Sequence, residues 1–190
     1  FQKDPHHAKQ IEEVPFDIKY NTLSKTTQKQ VDCLAENILF EAGHETREGQ
    51  VAVALVTLNR VASGNYAGDV CGVVKQKVNG ICQFSWVCEG KSNPNRNSAR
   101  YQSSLQIAYD VLAYNKYEEV IPKNTLYFHN TSYTNEFPHE VTARIGNHIF
   151  YTKKQKKNVK KRKSHRYFNK PGQAQLLNGE VQSTVDRESI

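Results

Sequence analysis

Residues 46–61 constrain the fold most. Thr46 and Glu48 supply a cap and an acidic first turn, Val51-Ala52-Val53-Ala54-Leu55-Val56 and Leu58 follow, and Gly64 stands where a helix would stop. A helix that is apolar on nearly every side has no face to give to water, so other elements must surround it. It is therefore the centre of one core, and 190 residues suit a single packed domain with an appendage better than two domains. Asn59 and Arg60, polar at the end of so apolar a segment, fit either a cap and surface role or a substrate cleft.

The preceding segment is a helix of a different kind. Val31, Leu34, Ala35, Ile38 and Leu39 recur at i, i+3, i+4, i+7 and i+8, Thr27-Gln28-Lys29-Gln30 has the form of a capping box, and Gly43 supplies a stop. Glu41, three residues beyond Ile38, continues the buried face into the last turn, beside apolar side chains and the negative end of the helix dipole. Both surroundings favour the protonated acid. A carboxylic acid still protonated near neutral pH can give a proton to a leaving oxygen, which cleavage of a glycosidic bond requires. Spacing alone leaves open a solvated Glu at a frayed helix end.

The remaining segments alternate between types. Val14, Phe16, Ile18 and Tyr20 alternate within a polar stretch, so residues 1–22 read as an extended arm with a short edge strand. Asp69 caps a helix over 70–78, Asn79-Gly80 turns the chain, and 81–88 form a strand or loop on which Trp86 either stacks on a sugar or joins the core. Ser98 opens a helix with Tyr101, Leu105, Ala108 and Leu112 on one face. Strands follow at 125–130 and 141–145, and Gly146-Asn147 turns the latter into a third at 148–151. His129 and His148 lie in or beside these strands, as structural or site residues.

Cys33, Cys71, Cys82 and Cys88 allow three disulfide pairings, of which Cys82 with Cys88 brackets the shortest loop; buried free thiols are the alternative. No CxxC pair is present, which argues against a zinc finger, and no metal site is expected.

Hydrophobic residues make up 37% of the chain, low enough to place part of its length outside the core, at the two ends. Between Lys153 and Arg166 stand nine Lys and Arg and no acid; taking them from the chain's 26 leaves 17 against 19 acidic residues and turns the net charge from +7 to −2. The domain organisation is thus an arm over 1–22, a packed domain over 23–152 and a basic, polar extension over 153–190. Such a block attracts polyanions. Aromatic residues are absent from it until Tyr167 and Phe168, which favours anionic envelope polymers over a specific nucleic acid. No apolar run approaches the roughly 20 residues that span a bilayer. The sequence begins at Phe1 and holds no Met, so its native start is expected to have been removed, loss of a secretory leader being one route.

Glu41-Ala42-Gly43-His44-Glu45, then Glu48-Gly49-Gln50-Val51-Ala52-Val53-Ala54 and Leu58-Asn59-Arg60-Val61, resemble the signature of the SleB-type cell wall hydrolases, the spore cortex-lytic enzymes. Gln83-Phe84-Ser85-Trp86, His129-Asn130 and Ile145-Gly146-Asn147-His148-Ile149-Phe150-Tyr151 match later blocks of that family in order. The resemblance spans roughly residues 31–152. It implies an α+β, lysozyme-like fold, mainly helical with a small antiparallel sheet, acting on peptidoglycan glycan strands as a monomer without cofactor or metal, at a cell wall reached by secretion, in the periplasm or by phage delivery. It also implies Glu41 as the catalytic acid, with Gln83, Phe84, Ser85, Trp86, His129 and Tyr151 lining or supporting the glycan groove. The sequence departs from the pattern at His44, which stands where Glu is expected directly after Gly and displaces Glu45 by one position, and over 132–140, which lack a tryptophan near Pro138.

The expected reaction is a lytic transglycosylation with one carboxyl, since the substrate supplies its own nucleophile. A muramidase using water needs a second carboxylate, for which Glu45, Glu48 and Asp69 are the local candidates. A non-catalytic module gripping glycan or nucleic acid through 153–166 is the reading from a different class.

Overall fold

The structure, a computed structural model, describes residues 14–154. Five helices come first: α1 (Phe16–Asn21), α2 (Lys25–Ala42), α3 (Arg47–Ser63), α4 (Val70–Lys75) and, after a small hairpin of β1 (Lys77–Val78) and β2 (Ile81–Cys82), the single turn α5 (Ser85–Cys88). A long α6 (Ala99–Tyr114) then leads into β3 (Thr125–Asn130), β4 (Glu140–Ile145) and β5 (His148–Thr152), an antiparallel sheet in the order β3-β5-β4.

The apolar helix sits where its composition requires. Val51 through Thr57 of α3 are all buried, and α2, α4, α6 and β3 pack around it. Thr46 caps it by accepting from the Gly49 amide at 3.3 Å, and Gly64 ends it in the left-handed region at φ 70°, where a side chain would be strained. Asn37 of α2 and Thr57 of α3, both fully buried, hydrogen-bond at 3.2 Å, so the α2–α3 seam carries a polar pair. A disulfide between Cys33 and Cys71 ties α2 to α4, and a second joins Cys82 to Cys88. The sequence spacing points to the second pair alone, because the first is made by tertiary packing. Such bonds belong to oxidising compartments.

Several local expectations are corrected. The stretch around residues 16–21 is helical rather than an edge strand, because Phe16 and Tyr20, four apart, share the packed face: Phe16 meets Tyr109 edge-on at 5.3 Å and the Tyr20 hydroxyl donates to Asp32 at 2.7 Å. Val14 and Ile18, which complete the apparent alternation, are about half exposed. The cap of α2 is Ser24, whose hydroxyl accepts from the Thr27 amide, so the helix begins before the expected capping box. The helix after Asp69 stops at Lys75, and the 81–88 stretch is mostly a turn and α5 rather than a strand.

Register sorts the larger sheet into two faces. Phe128 opposes Phe150, Asn130 opposes His148, and the rings of Phe128, His148 and Phe150 contact one another on the core side. Tyr127 opposes Tyr151 and, with His129, occupies the other face. Two fasteners hold the sheet to the helices. Asn59 and Arg60 at the end of α3 donate to the backbone carbonyls of Pro122, Thr125 and Leu126, and at the far tip Glu45 accepts from the Asn147 amide.

Candidate active site

Glu41 occupies the penultimate position of α2, beside the half-buried Phe40. Phe40 stacks on Trp86 at 4.7 Å, and the Trp86 indole N–H donates to Asn37 Oδ1 at 3.0 Å. These contacts dock α5 against the last turns of α2 and bring the end of α5 close to Glu41. The carboxyl of Glu41 is pushed up to about 7, first by burial and then by the negative charge of Glu89, while Arg60 and Lys91 pull the other way. No hydrogen bond contributes to that balance, so the proton is not committed to a neighbour within the protein.

Arg60, on α3, acts on the same carboxyl through its charge. It is 6% exposed, its Nε–H donates to the Leu126 carbonyl at 2.9 Å, and its guanidinium lies 5.0 Å from the Phe84 ring and 5.2 Å from the Tyr66 ring. Burial lowers its affinity for the proton, and the charge of Glu41 among others opposes that. Tyr66 in turn interacts with Tyr127, where the outer face of the sheet begins.

That face carries a band of rings. The Tyr151 hydroxyl pairs with His129 Nε2 at 2.7 Å, and His129 Nδ1 lies 2.9 Å from the Asn130 carbonyl. A carbonyl only accepts, so Nδ1 carries a proton and, in the neutral imidazole, Tyr151 donates to Nε2. Phe137 packs against His129, Tyr151 and Tyr127, Tyr127 stacks on His139 at 4.1 Å, and Tyr133 lies 4.8 Å from His129, 44% exposed.

The sequence-expected residues therefore divide. Glu41 is half-buried at the end of α2, and His129 and Tyr151 meet in one hydrogen bond on the ring-lined face. Phe84 and Trp86, 3% and 5% exposed, leave almost no ring surface open to a sugar, which fits support of the groove and a place in the core rather than its lining. Gln83 is half-buried with its amide bonded to the Gln76 carbonyl, and Ser85 is exposed at the start of α5. Among the candidate second carboxylates, Glu45 is held at 3.0 and 3.1 Å by both nitrogens of Asn147, Glu48 is exposed in the first turn of α3, and Asp69 caps α4. Glu89, not singled out from the sequence, is the acid whose charge reaches Glu41; it stands in water, bonded to Lys91 at 2.6 Å. Its signal was its position immediately after the Cys82–Cys88 loop. Tyr66 and Tyr127 were missed as well; Tyr127 shares its strand face with His129 by simple alternation. Among the described residues no group of three or more His, Cys, Asp or Glu is placed to hold a metal ion.

A family model described as Cell Wall Hydrolase matches residues 44–151, more than half of the chain. The catalytic domain of the germination-specific lytic transglycosylase SleB from Bacillus anthracis superposes with a TM-score of 0.52 at 26% identity, covering 70% of this chain and 98% of that one. The catalytic domain of the SleB protein from Bacillus cereus gives a TM-score of 0.50 at 26% identity, over 66% of this chain and 91% of that one. No curated protein matches the chain.

Proposed function

Since the chain belongs to the cell wall hydrolase family and has the SleB-like α+β fold, we propose that it degrades peptidoglycan outside the cytoplasm by cleaving the β-1,4 bond between N-acetylmuramic acid and N-acetylglucosamine, as a lytic transglycosylase with Glu41 as its catalytic residue. The observation that carries this reading is a half-buried carboxyl with a pKa pushed up to about 7 and no internal hydrogen bond to occupy its proton. Glu41 protonates the glycosidic oxygen as the bond to the anomeric carbon breaks. The muramic 6-hydroxyl then attacks that carbon and gives its proton to the Glu41 carboxylate, which regenerates the acid and closes a 1,6-anhydro ring without consuming water. Tyr127, His129 and Tyr133 supply ring faces and polar atoms on which sugars stack and hydrogen-bond, while the buried Tyr151 holds His129 through its hydroxyl.

The test is mass spectrometry of purified peptidoglycan digested by the wild type and by Glu41→Gln. Anhydromuramic ends from the wild type, lost by hundreds-fold or more in the variant, are the expected result. Reducing ends would instead indicate a muramidase and make Glu89 the second carboxylate to test. A Glu41→Gln protein that still cuts would overturn the assignment, and a folded wild type that cuts nothing would leave a binding module.

The block Lys153 to Arg166 lies outside the described residues beyond Lys154. We propose that it anchors the enzyme to anionic envelope polymers. Removing 153–190 is expected to weaken binding to isolated walls at low salt and to change little at high salt; an unaltered salt dependence in a sedimentation assay would refute it.

A further inference from the structure

The cycle proposed for Glu41 asks one carboxyl to be first an acid and then a carboxylate. Burial favours only the first state, because a charged carboxylate loses more hydration than a neutral acid. Something in the site must hold the negative charge between the two proton transfers. Three charged groups act on Glu41: Glu89 and Lys91 from the end of α5, and Arg60 from α3. Glu89 and Lys91 bond to each other at 2.6 Å with both side chains about half exposed, so water and salt screen them and their charges largely cancel.

Arg60 differs in every respect. It is 6% exposed, and a hydrogen bond to β3, one with Tyr66 and the Phe84 and Tyr66 rings fix its position. Its Nη1 is buried without any partner. A buried guanidinium nitrogen with an unused donor carries a desolvation cost that the hydrogen bond to Leu126 does not explain. The neighbours that act on Arg60 besides Glu41 are Tyr66 and Tyr127, so Glu41 is the one carboxyl among them.

On the reading of Glu41 given above, we infer that Arg60 is the positioning residue of its acid–base cycle: the buried guanidinium is the fixed counter-charge that holds Glu41 as a carboxylate between giving up one proton and taking the next. Arg60 acts through Glu41. Its charge is set in place before reaction, at a distance from the sugar, so no reorganisation is needed when the negative charge appears.

The experiment is a set of pH–rate profiles for peptidoglycan digestion by the wild type, Arg60→Met, Arg60→Lys and Glu41→Gln. Loss of the positive charge raises the pKa of Glu41, so in Arg60→Met the alkaline limb moves up by about one pH unit or more while the maximal rate falls at least tenfold. Arg60→Lys keeps the charge and loses the planar bond to Leu126, so its limb stays with the wild type's even where its rate falls. An alkaline limb unmoved in Arg60→Met, or moved as far in Arg60→Lys as in Arg60→Met, overturns the inference. If Arg60→Met does not fold, Arg60→Lys decides: a wild-type limb supports the charge, and a displaced limb refutes it. An inactive Glu41→Gln with an unmoved Arg60→Met limb sinks this inference alone, whereas an active Glu41→Gln sinks the reading of Glu41 together with it.

Discussion

Glu41 and Glu45 are the same residue type four positions apart, and the structure gives them opposite chemistry. Glu41, in the last turn of α2, is half-buried, and desolvation pushes its carboxyl up to about 7. Glu45, in the turn that follows, is in contact with water and accepts two hydrogen bonds from Asn147, which hold its carboxyl below the usual range. Nearby charge is secondary in both: burial leads for one and the backbone amide of Asn147 leads for the other. The chain thereby separates two tasks. The carboxyl of Glu41 holds its proton toward neutral pH at a cost in stability, and that of Glu45 fastens the β4–β5 hairpin against the turn beside it.

The largest effect expected from breaking this contrast is at Glu41. Its pKa is raised in the folded state from an ordinary 4.5 to about 7, so the folded protein holds that proton more tightly than the unfolded chain. Below pH 4.5 the acid is protonated in both states and costs nothing; between 4.5 and 7 a penalty grows, reaching about 3 kcal/mol above pH 7. Glu41→Gln is therefore expected to be the more stable protein at pH 8 and equal to the wild type at pH 4, even as it loses its activity. Thermal unfolding at the two pH values checks this, and equal stability of variant and wild type at pH 8 would contradict the burial argument. A residue whose removal stabilises the fold is placed for chemistry, not for folding.

Gly146 tests the other half. It sits at φ +55°, and an added Cβ there would collide with Glu45 Oε2. Gly146→Ala therefore combines left-handed strain with displacement of the Glu45 carboxylate from Asn147, an expected loss of roughly 2–3 kcal/mol. Chemical denaturation measures it, and a loss under half a kcal/mol would mean that the hairpin tip is held by something other than Glu45.

How far the sequence disclosed these features follows from the range of the interactions behind them. The all-round apolar character of α3 and the period of α2 and α6 survive in the sequence because local pattern and tertiary burial agree there. Glu41 was legible for the same reason, since three residues beyond Ile38 can only mean the same face of the same helix. Phe16 and Tyr20 were misread because a spacing of four and an alternation of two fit the same residues, and only their partners Tyr109 and Asp32 choose between them. Trp86 was ambiguous because an indole suits a cleft wall and a core equally, and its hydrogen bond to Asn37, 49 positions away, settles the matter. The contribution of Glu89 and the counter-charge of Arg60 depend on α5 docking against α2 and on α3 crossing to β3. Neither contact leaves a local trace.

The smallest effect, and the one that sharpens the comparison most, is at Glu45. Its folded carboxyl is held below the ordinary value, so its contribution to stability is present above pH 4.5 and disappears as the pH falls through the lowered value. Glu45→Gln keeps the shape and one acceptor but loses the charge and the second bond to Asn147. Because the group is largely in water, the expected loss at neutral pH is about 1 kcal/mol, shrinking toward zero under acid. The sign is opposite to that of Glu41→Gln: one variant gains stability as the pH rises and the other loses it. Measured side by side from pH 3 to 8, the two differences should diverge from a common origin near zero at low pH. If both moved in the same direction, net charge rather than local environment would govern these carboxyls, and the division between a reactive and a fastening glutamate would fail.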